Sequence, residues 1–352
     1  MNRLSALLLV LITFVSLSCG YSSGPNAKTS EPLTKCPPIS MTPKDPTVIA
    51  PVREVKTVGV GEQAQAIVAD ANWIFAIVSG RLIRISQKDQ SIKVLLDKVD
   101  RESSLAMDKK DLFLASFGRG KVQRLAKTGG DPVDLIAKLE QPIDIQVDED
   151  SVYVATELTG QVWRVFKRGG PPQLLAQAQK PGLTALVLDD NNVYFGGRGQ
   201  ELRRVSKKGG PLTSLGKNTD VLANMTSDLK YIYYAGKNGL FRISKDSGCG
   251  PELLLASPSE TSIFSSIKVI RVDATQIYWA TQGGQASEVL ESSSGADAAA
   301  AGGAVARMPL AGGQIELVWS NPHCEIRGLT LTESHAYFTE SCADGKILMT
   351  AK

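Results

Sequence analysis

Histidine is scarce in this chain, which has two among 352 residues. Histidine is the side chain that most often acts as a general base near neutral pH, so its scarcity leaves few options for acid–base catalysis. The H-E-x-x-H pattern of zinc proteases and the Walker-type loop of nucleotide-binding enzymes are also absent. We therefore expect no catalytic residues, no cofactor and no metal, and the sequence favours a protein that is not an enzyme.

A strong excess of one charge is missing too. The formal net charge is +3 and no basic arm is present, so we expect no nucleic-acid partner.

Long hydrophobic runs are equally absent. The apolar stretch at residues 4–15 is shorter than the roughly 20 residues that a membrane-spanning helix needs.

The first 18 residues have the pattern of an export signal, with Arg3 ahead of the apolar stretch. The following segment, Ser16-Leu17-Ser18-Cys19, resembles the lipobox of bacterial lipoproteins. This resemblance implies removal of residues 1–18, acylation of Cys19 and attachment to a membrane through lipid. Since Gly20 follows the cysteine, we expect an outer-membrane or cell-surface location, with the periplasmic side as an alternative. Plain secretion without lipid also stays open.

Residues 19–51 contain seven of the 17 prolines of the chain. Such a composition buries too little apolar surface to offset the entropy of ordering. We predict a disordered, extended tether here, followed by one folded domain at residues 52–352.

An aromatic residue recurs at a period near 40, and an aspartate precedes it by five residues in the first six units. Such a period with short strand-like segments predicts an all-β fold, a seven-bladed β-propeller whose aromatic residues pack in the core. The aromatic residues are Phe75, Phe113, Tyr153, Tyr194, Tyr233, Tyr278 and Tyr337. The aspartates are Asp70, Asp108, Asp148, Asp189, Asp228 and Asp273, and Thr332 replaces them in the last unit.

Each unit has room for four strands, the last two joined by a Gly-Gly hairpin at 129–130, 169–170, 209–210 and 312–313. The seventh unit shows only three strands before the chain ends. An unassigned strand at 52–57 precedes the first unit. We predict that this N-terminal strand completes the seventh blade and closes the ring, which removes the free sheet edges.

The stretch from Val272 to Thr281, which contains Tyr278-Trp279, is similar to YWTD- and NHL-type propeller repeats of secreted proteins. The resemblance covers roughly residues 52–350 and implies a propeller architecture. It does not select a function, because such propellers include both binding proteins and enzymes.

An arginine recurs in the third strand of six blades, and Met349 replaces it in the seventh. One interpretation is a basic ring for an anionic ligand. The favoured one pairs each arginine with the repeated aspartate, because the seventh blade lacks both. The arginines are Arg84, Arg124, Arg164, Arg204, Arg242 and Arg307.

The five cysteines suit an exported protein with one lipidated cysteine and two disulfides. Cys324 and Cys342 lie in loops that emerge on one face of the seventh blade, so we predict a bridge between them. A second bridge, from Cys36 to Cys249, would hold the tether to the opposite face. Metal binding by cysteine is the alternative.

We expect the protein to bind a partner through the propeller face that carries the loops between blades and between second and third strands. Candidate contacts are Phe117, Arg119, Glu157, Arg198 and Lys237. Residues 283–303, rich in Ala, Ser and Gly, form an insertion on this face. The expected function is a monomeric binding or scaffold module for a protein or an envelope polymer. The alternative is a lactonase-like, metal-dependent hydrolase with its site in the central channel.

Overall fold

The computed structural model describes residues 48–49, 54–60, 62–216, 219, 221, 223–237, 239–246, 250–256, 267–281 and 302–352, with the backbone alone at 48, 49 and 60. Cys19, Cys36, Cys249, the predicted export signal and most of the insertion at 283–303 lie outside these residues. The described part of the chain is all-β, with 29 strands in seven sheets. It contains no helix with the length and apolarity needed to cross a membrane.

The seven sheets are the seven blades of a β-propeller, as predicted. Blade one contains β3 (Ile67–Ala69), β4 (Trp73–Val78), β5 (Arg81–Ser86) and β6 (Ile92–Leu96). Blade two contains β7 (Ser104–Met107), β8 (Asp111–Ser116), β9 (Lys121–Ala126) and β10 (Val133–Ile136). Blade three contains β11 (Pro142–Val147), β12 (Ser151–Thr156), β13 (Gln161–Phe166) and β14 (Gln173–Gln177).

Blades four to six continue the pattern. Blade four contains β15 (Leu183–Leu188), β16 (Asn192–Gly197), β17 (Leu202–Ser206) and β18 (Thr213–Gly216). Blade five contains β19 (Met225–Ser227), β20 (Tyr231–Gly236), β21 (Gly239–Ser244) and β22 (Pro251–Ala256). Blade six contains β23 (Ile267–Val272), β24 (Gln276–Thr281), β25 (Gly303–Pro309) and β26 (Ile315–Asn321).

Blade seven joins the two ends of the described chain. It contains β27 (Glu325–Leu331), β28 (His335–Ser341), β29 (Lys346–Ala351) and, as its outermost strand, β2 (Val55–Val60). Strand β2 pairs antiparallel with β29, from Val55 opposite Thr350 to Val60 opposite Lys346. The predicted closure by an N-terminal strand is confirmed, with the strand three residues further along than the predicted 52–57. Inner strands of neighbouring blades contact one another around the ring, including β3 with β27.

A short strand also forms inside the segment predicted as a disordered tether. Strand β1 (Val48–Ile49) pairs parallel with β26 and adds a fifth strand to blade six. The prediction of disorder up to residue 51 is wrong at these two residues, because the exposed edge of blade six offers backbone hydrogen bonds.

The repeated aromatic residues form the core between blades, as predicted. All seven lie in the second strand of their blade and are at most 1% exposed. Second strands are buried at successive positions because a neighbouring blade covers each face. Third-strand arginines lie directly opposite these rings, for example Arg164 opposite Tyr153. The predicted glycine hairpins are present, with positive φ at both residues of each pair, such as 94° at Gly129 and 121° at Gly130.

Irregular pairing of the inner strands positions the candidate site. The register between first and second strands shifts in blades three, four, six and seven. Each shift leaves one inner-strand residue without a partner on the second strand, and such bulges redirect side chains. The residues at this bulge position are Ile143, Thr184, Lys268 and Arg327.

Candidate binding site at the channel mouth

The inner strands of all seven blades begin around one cavity of about 540 Å³, which we call the channel mouth. Its lining includes the four residues of the bulge position, together with Gln65 of blade one and Ala223 of blade five. A cavity of roughly 300–1,000 Å³ is the size that accommodates a small ligand. The ring of inner strands therefore builds a single concave site from short segments of every blade.

Positive charge is concentrated on one side of the mouth. Lys268 and Arg327 occupy the bulge position in the adjacent blades six and seven, and Arg198 comes from a loop of blade four. Partial burial of the ammonium group lowers the pKa of Lys268, although the side chain as a whole is exposed. The positive charges of Arg198 and Arg327 lower this pKa further, against the opposing carboxylate of Glu325. The three cations thus lie within one another's electrostatic field.

Arg327 is held in place by two partners. Its Nε donates to Glu325 Oε2 at 2.9 Å, and its Nη1 donates to Gln65 Oε1 at 2.9 Å. Gln65 precedes the inner strand of blade one, so this contact crosses the junction between blades seven and one. The guanidinium is therefore fixed at the rim of the cavity.

A buried carboxyl group, that of Asp144, and a half-buried guanidinium, that of Arg271, also line the cavity. Arg271 Nη1 donates to Asn224 Oδ1 at 2.6 Å and to the carbonyl of Ile270 at 2.8 Å. Burial lowers the pKa of Arg271, and the negative charge of Asp144 opposes this. Burial raises the pKa of Asp144 to about 6, despite hydrogen bonds from backbone N–H groups and the charge of Arg271.

Both carboxylate oxygens of Asp144 are occupied by the backbone. Its Oδ1 accepts from the N–H of Ile145 and its Oδ2 from the N–H of Leu186, both at 2.9 Å. Leu186 belongs to the inner strand of blade four, so Asp144 connects blades three and four. Asp144 therefore stabilises the junction between these two blades.

Two hydroxyl groups on the blade-two side of the mouth are buried without a partner in the described structure. These are Ser103 Oγ and Ser104 Oγ, and Ser103 is 4% exposed. Buried polar groups in native proteins nearly always have a hydrogen-bond partner, so an unpartnered pair needs an explanation.

The structure brings three of the five predicted contact residues to this cavity. Phe117, Glu157 and Arg198 line it. Arg119 does not, and instead its Nε forms an ion pair with Asp100 Oδ1 at 3.1 Å. Lys237 also lies outside the lining.

The predicted pairing of the repeated aspartates with the repeated arginines is wrong. In six blades the Oδ1 atom of the aspartate accepts two backbone N–H groups of the following turn. In four blades its Oδ2 atom pairs with a lysine of the next blade at 2.6–3.0 Å. The pairs are Asp70–Lys127, Asp108–Lys167, Asp148–Lys207 and Asp273–Lys352.

The repeated arginines bind the same neighbouring lysine through its backbone. Nη1 of Arg84, Arg124, Arg164 and Arg204 donates to the carbonyl of Lys127, Lys167, Lys207 and Lys245, respectively, at 2.7–3.1 Å. Arg242 Nη1 reaches Leu310 O in the same way, and Arg307 binds Glu316 and Tyr278. None of the six lines the mouth. Aspartate, arginine and lysine together form an inter-blade contact rather than a ligand site.

The predicted bridge between Cys324 and Cys342 is confirmed, with an S–S distance of 2.02 Å. Asp344 lies next to these sulfurs, and the three residues are the one group in the described chain with enough close ligand atoms for a metal ion. The disulfide removes both thiolates that such an ion would need. The second predicted bridge, Cys36–Cys249, lies outside the described residues.

Sequence reasoning missed the charged and hydroxylic residues of the inner strands. The available signal is charge inside otherwise apolar strands. Lys268 and Arg271 interrupt Ile267–Val272, and Asp144 interrupts Pro142–Val147. A charge inside such a strand marks a position that faces the channel or a partner rather than the core.

No protein-family model matches this chain, and no curated protein matches it. Solved structures do match this chain. The structure of streptogramin B lyase matches with a TM-score of 0.66, covering 85% of this chain and 98% of that chain at 14% identity.

Two further structures match at 14% identity. The computationally designed Ika8 protein has a TM-score of 0.55, covering 82% of this chain and 83% of that chain. A chain of the nidogen/laminin complex has a TM-score of 0.50, covering 70% and 98%. At this identity the similarity concerns architecture alone, and what it shows is that the chain has a β-propeller fold.

Proposed function

We propose that this protein is an exported, lipid-anchored propeller that acts as a binding module at the bacterial cell envelope, with the channel mouth as its recognition surface. The observation that supports this most is the convergence of all seven inner strands on one open, polar cavity. Loops and strand ends on a rigid ring can present a recognition surface without a moving part.

The direction of the strands supports the mouth as the recognition surface. Inner strand β27 begins at the mouth, and each following strand of blade seven reverses direction. Strand β2 therefore starts at Val55 on the far face and ends at Val60 on the mouth side. The N-terminal end of β2 therefore lies on the face opposite the mouth, which leaves the mouth free for a partner.

The anchor is tested by metabolic labelling with a fatty-acid analogue in the wild type and in Cys19→Ala. We expect label in the wild type only, and release of the variant from the membrane fraction. Equal label in both proteins would refute the anchor.

The recognition surface is tested by in-cell photo-crosslinking. A photoreactive amino acid replaces Phe117, which lines the mouth, or Phe166, which is 37% exposed at the far end of β13. We expect crosslinks to envelope material from position 117 and not from position 166. Crosslinks that are absent at 117, or equal at the two positions, would contradict recognition at the mouth.

The second candidate is a channel hydrolase, and the observation that favours it is the carboxylate set of the mouth. Asp144, Glu102 and Glu157 all line the cavity, and a carboxyl with a raised pKa in a cleft is a common catalytic acid or base. Elemental analysis and esterase or lactonase assays of the full protein separate the two functions. One tightly bound divalent ion per chain, lost together with turnover on chelation, would establish the hydrolase instead.

A further inference from the structure

We propose that the channel mouth binds an acidic carbohydrate, a sugar unit that carries a carboxylate or phosphate beside its hydroxyl groups. This inference rests on the proposed binding function and names its ligand class. Two features of the cavity lead to it: its excess of positive charge, and its size together with its polar lining.

The first feature is an excess of positive charge. Among the described residues, five cationic side chains line the mouth against three carboxylates, and a fourth carboxylate, Glu325, pairs with Arg327 from outside this lining. No hydrogen bond or ion pair joins the side chains of Lys268 and Arg198 to any residue that the structure describes, although the charge of Arg198 acts on Lys268. Holding like charges together without an anion is unfavourable, and an oxyanion bound between them would relieve this repulsion.

The second feature is the combination of size and polarity. About 540 Å³ suits a few sugar units, and the amides and hydroxyls of Gln65, Gln146, Thr184 and Asn224 also line the cavity. Phe117 is the one aromatic residue among the described residues of this lining. A polar lining with hydroxyl and amide groups around an anion site fits a carbohydrate better than an apolar ligand, and an acidic peptide is the rival occupant.

The test is calorimetric titration of the full-length protein with trigalacturonate, with its neutral methyl ester and with hexaglutamate. We expect trigalacturonate to bind about tenfold more tightly than the ester, since one charge-assisted contact accounts for about this factor. Raising the salt from about 50 mM to about 500 mM should weaken binding several-fold, because salt screens exposed charges. Equal affinity for the ester, or tighter binding of hexaglutamate, would overturn the assignment to an acidic carbohydrate.

Variants locate the site. Lys268→Gln and Arg198→Gln should each weaken the binding of trigalacturonate about tenfold, by loss of one charged hydrogen bond. Arg119→Gln is the matched control, because Arg119 is a surface cation outside the cavity and paired with Asp100. Its affinity should stay within about twofold of wild type. Equal effects of Arg119→Gln and Lys268→Gln would place the ligand elsewhere.

The two proposals fail separately. If no trigalacturonate binds while crosslinking at position 117 persists, the ligand class is wrong and recognition at the mouth stands. If neither occurs, the binding function itself is wrong.

Discussion

Replacing Lys207, the lysine of one inter-blade contact, should lower the free energy of unfolding far more than replacing its exposed neighbour Lys208. Lys207 Nζ lies 2.8 Å from Asp148 Oδ2, with side chains only 14% and 26% exposed. Tyr153 donates its hydroxyl to the same oxygen at 2.8 Å. Burial alone would raise the pKa of Asp148, but the hydrogen bonds from Lys207, Ser151 and Tyr153 hold it below its ordinary value. The contact therefore stabilises the ionised carboxylate.

The magnitude follows from this geometry. Exposed ion pairs contribute at most about 1 kcal/mol, whereas breaking a buried pair costs about 3–5 kcal/mol. A hydrogen bond to a charged group contributes about 1.5–3 kcal/mol. For a pair mostly removed from water we expect Lys207→Met to lower the free energy of unfolding by about 2–3 kcal/mol. The exposed neighbour Lys208 is the control, and Lys208→Met should change it by less than about 0.5 kcal/mol.

A double-mutant cycle in equilibrium urea unfolding isolates the pair. Asp148→Asn keeps an oxygen for the turn and removes the charge, so its coupling to Lys207→Met should be about 2 kcal/mol. Arg164→Met provides the contrast, because Arg164 binds the carbonyl of Lys207 rather than Asp148. If Lys207 and Asp148 combine additively, or if Arg164 couples to Asp148 more strongly, the assigned contact is wrong.

Three further changes test the ring. The pKa of Asp144 in the folded protein is raised from 3.8 to about 6. Its contribution to stability is therefore complete below pH 3.8 and is lost as the pH rises through 6. Between pH 3.5 and 7.5, the free energy of unfolding of the wild type should fall by about 3 kcal/mol relative to that of Asp144→Asn. Replacing Cys324 and Cys342 by serine opens a loop with a sequence separation of 18 and should cost about 3 kcal/mol in urea unfolding. Gly197→Ala places a Cβ against the backbone oxygen of Gly182 and should lower the free energy of unfolding by about 2 kcal/mol or more in the same assay. Gly118→Ala meets only the side chain of Asp100, at 3.3 Å, and should lower it by less than about 1 kcal/mol.

The architecture could be predicted because the repeat is carried by residues whose roles are local. Each Asp–aromatic spacing encodes one turn and one buried strand, as in Asp148 and Tyr153. The turn is closed by the aspartate itself, and the ring packs wherever two blades meet. Neither role depends on the conformation of distant residues, so counting the spacing was sufficient for the number of blades.

The partner of the aspartate could not be chosen from the sequence because two cations recur with it. Arg164 and Lys207 both follow the repeat, and only the packing of adjacent blades brings the lysine to Asp148. The sequence did contain a signal for the lysine. Blade seven has Thr332 in place of the aspartate, and the adjacent blade one has Gln87 in place of the lysine. Both partners of the contact between these two blades are therefore replaced together.

The inner-strand residues of the channel mouth could not be predicted from the sequence for a different reason. Alternation along a strand predicts which side chains share a face, but one extra residue at a bulge reverses that assignment. Lys268 and Arg327 sit at such bulges, and nothing in their spacing reveals the shift. Loop residues such as Phe117 were predicted because they depend only on which face a connection emerges from.

The pairing of β2 with the last strand, β29, sets the order of events during biosynthesis. Blades one to six are each complete once their own four strands have been made. Blade seven instead needs Val55 and Thr350, which are separated by nearly the whole folded domain. At about 5–20 residues per second, ribosomes take roughly 15–60 s to add those 300 or so residues. During that interval β2 cannot pair with β29, so the ring is completed last, by a strand that was made before any of blades one to six.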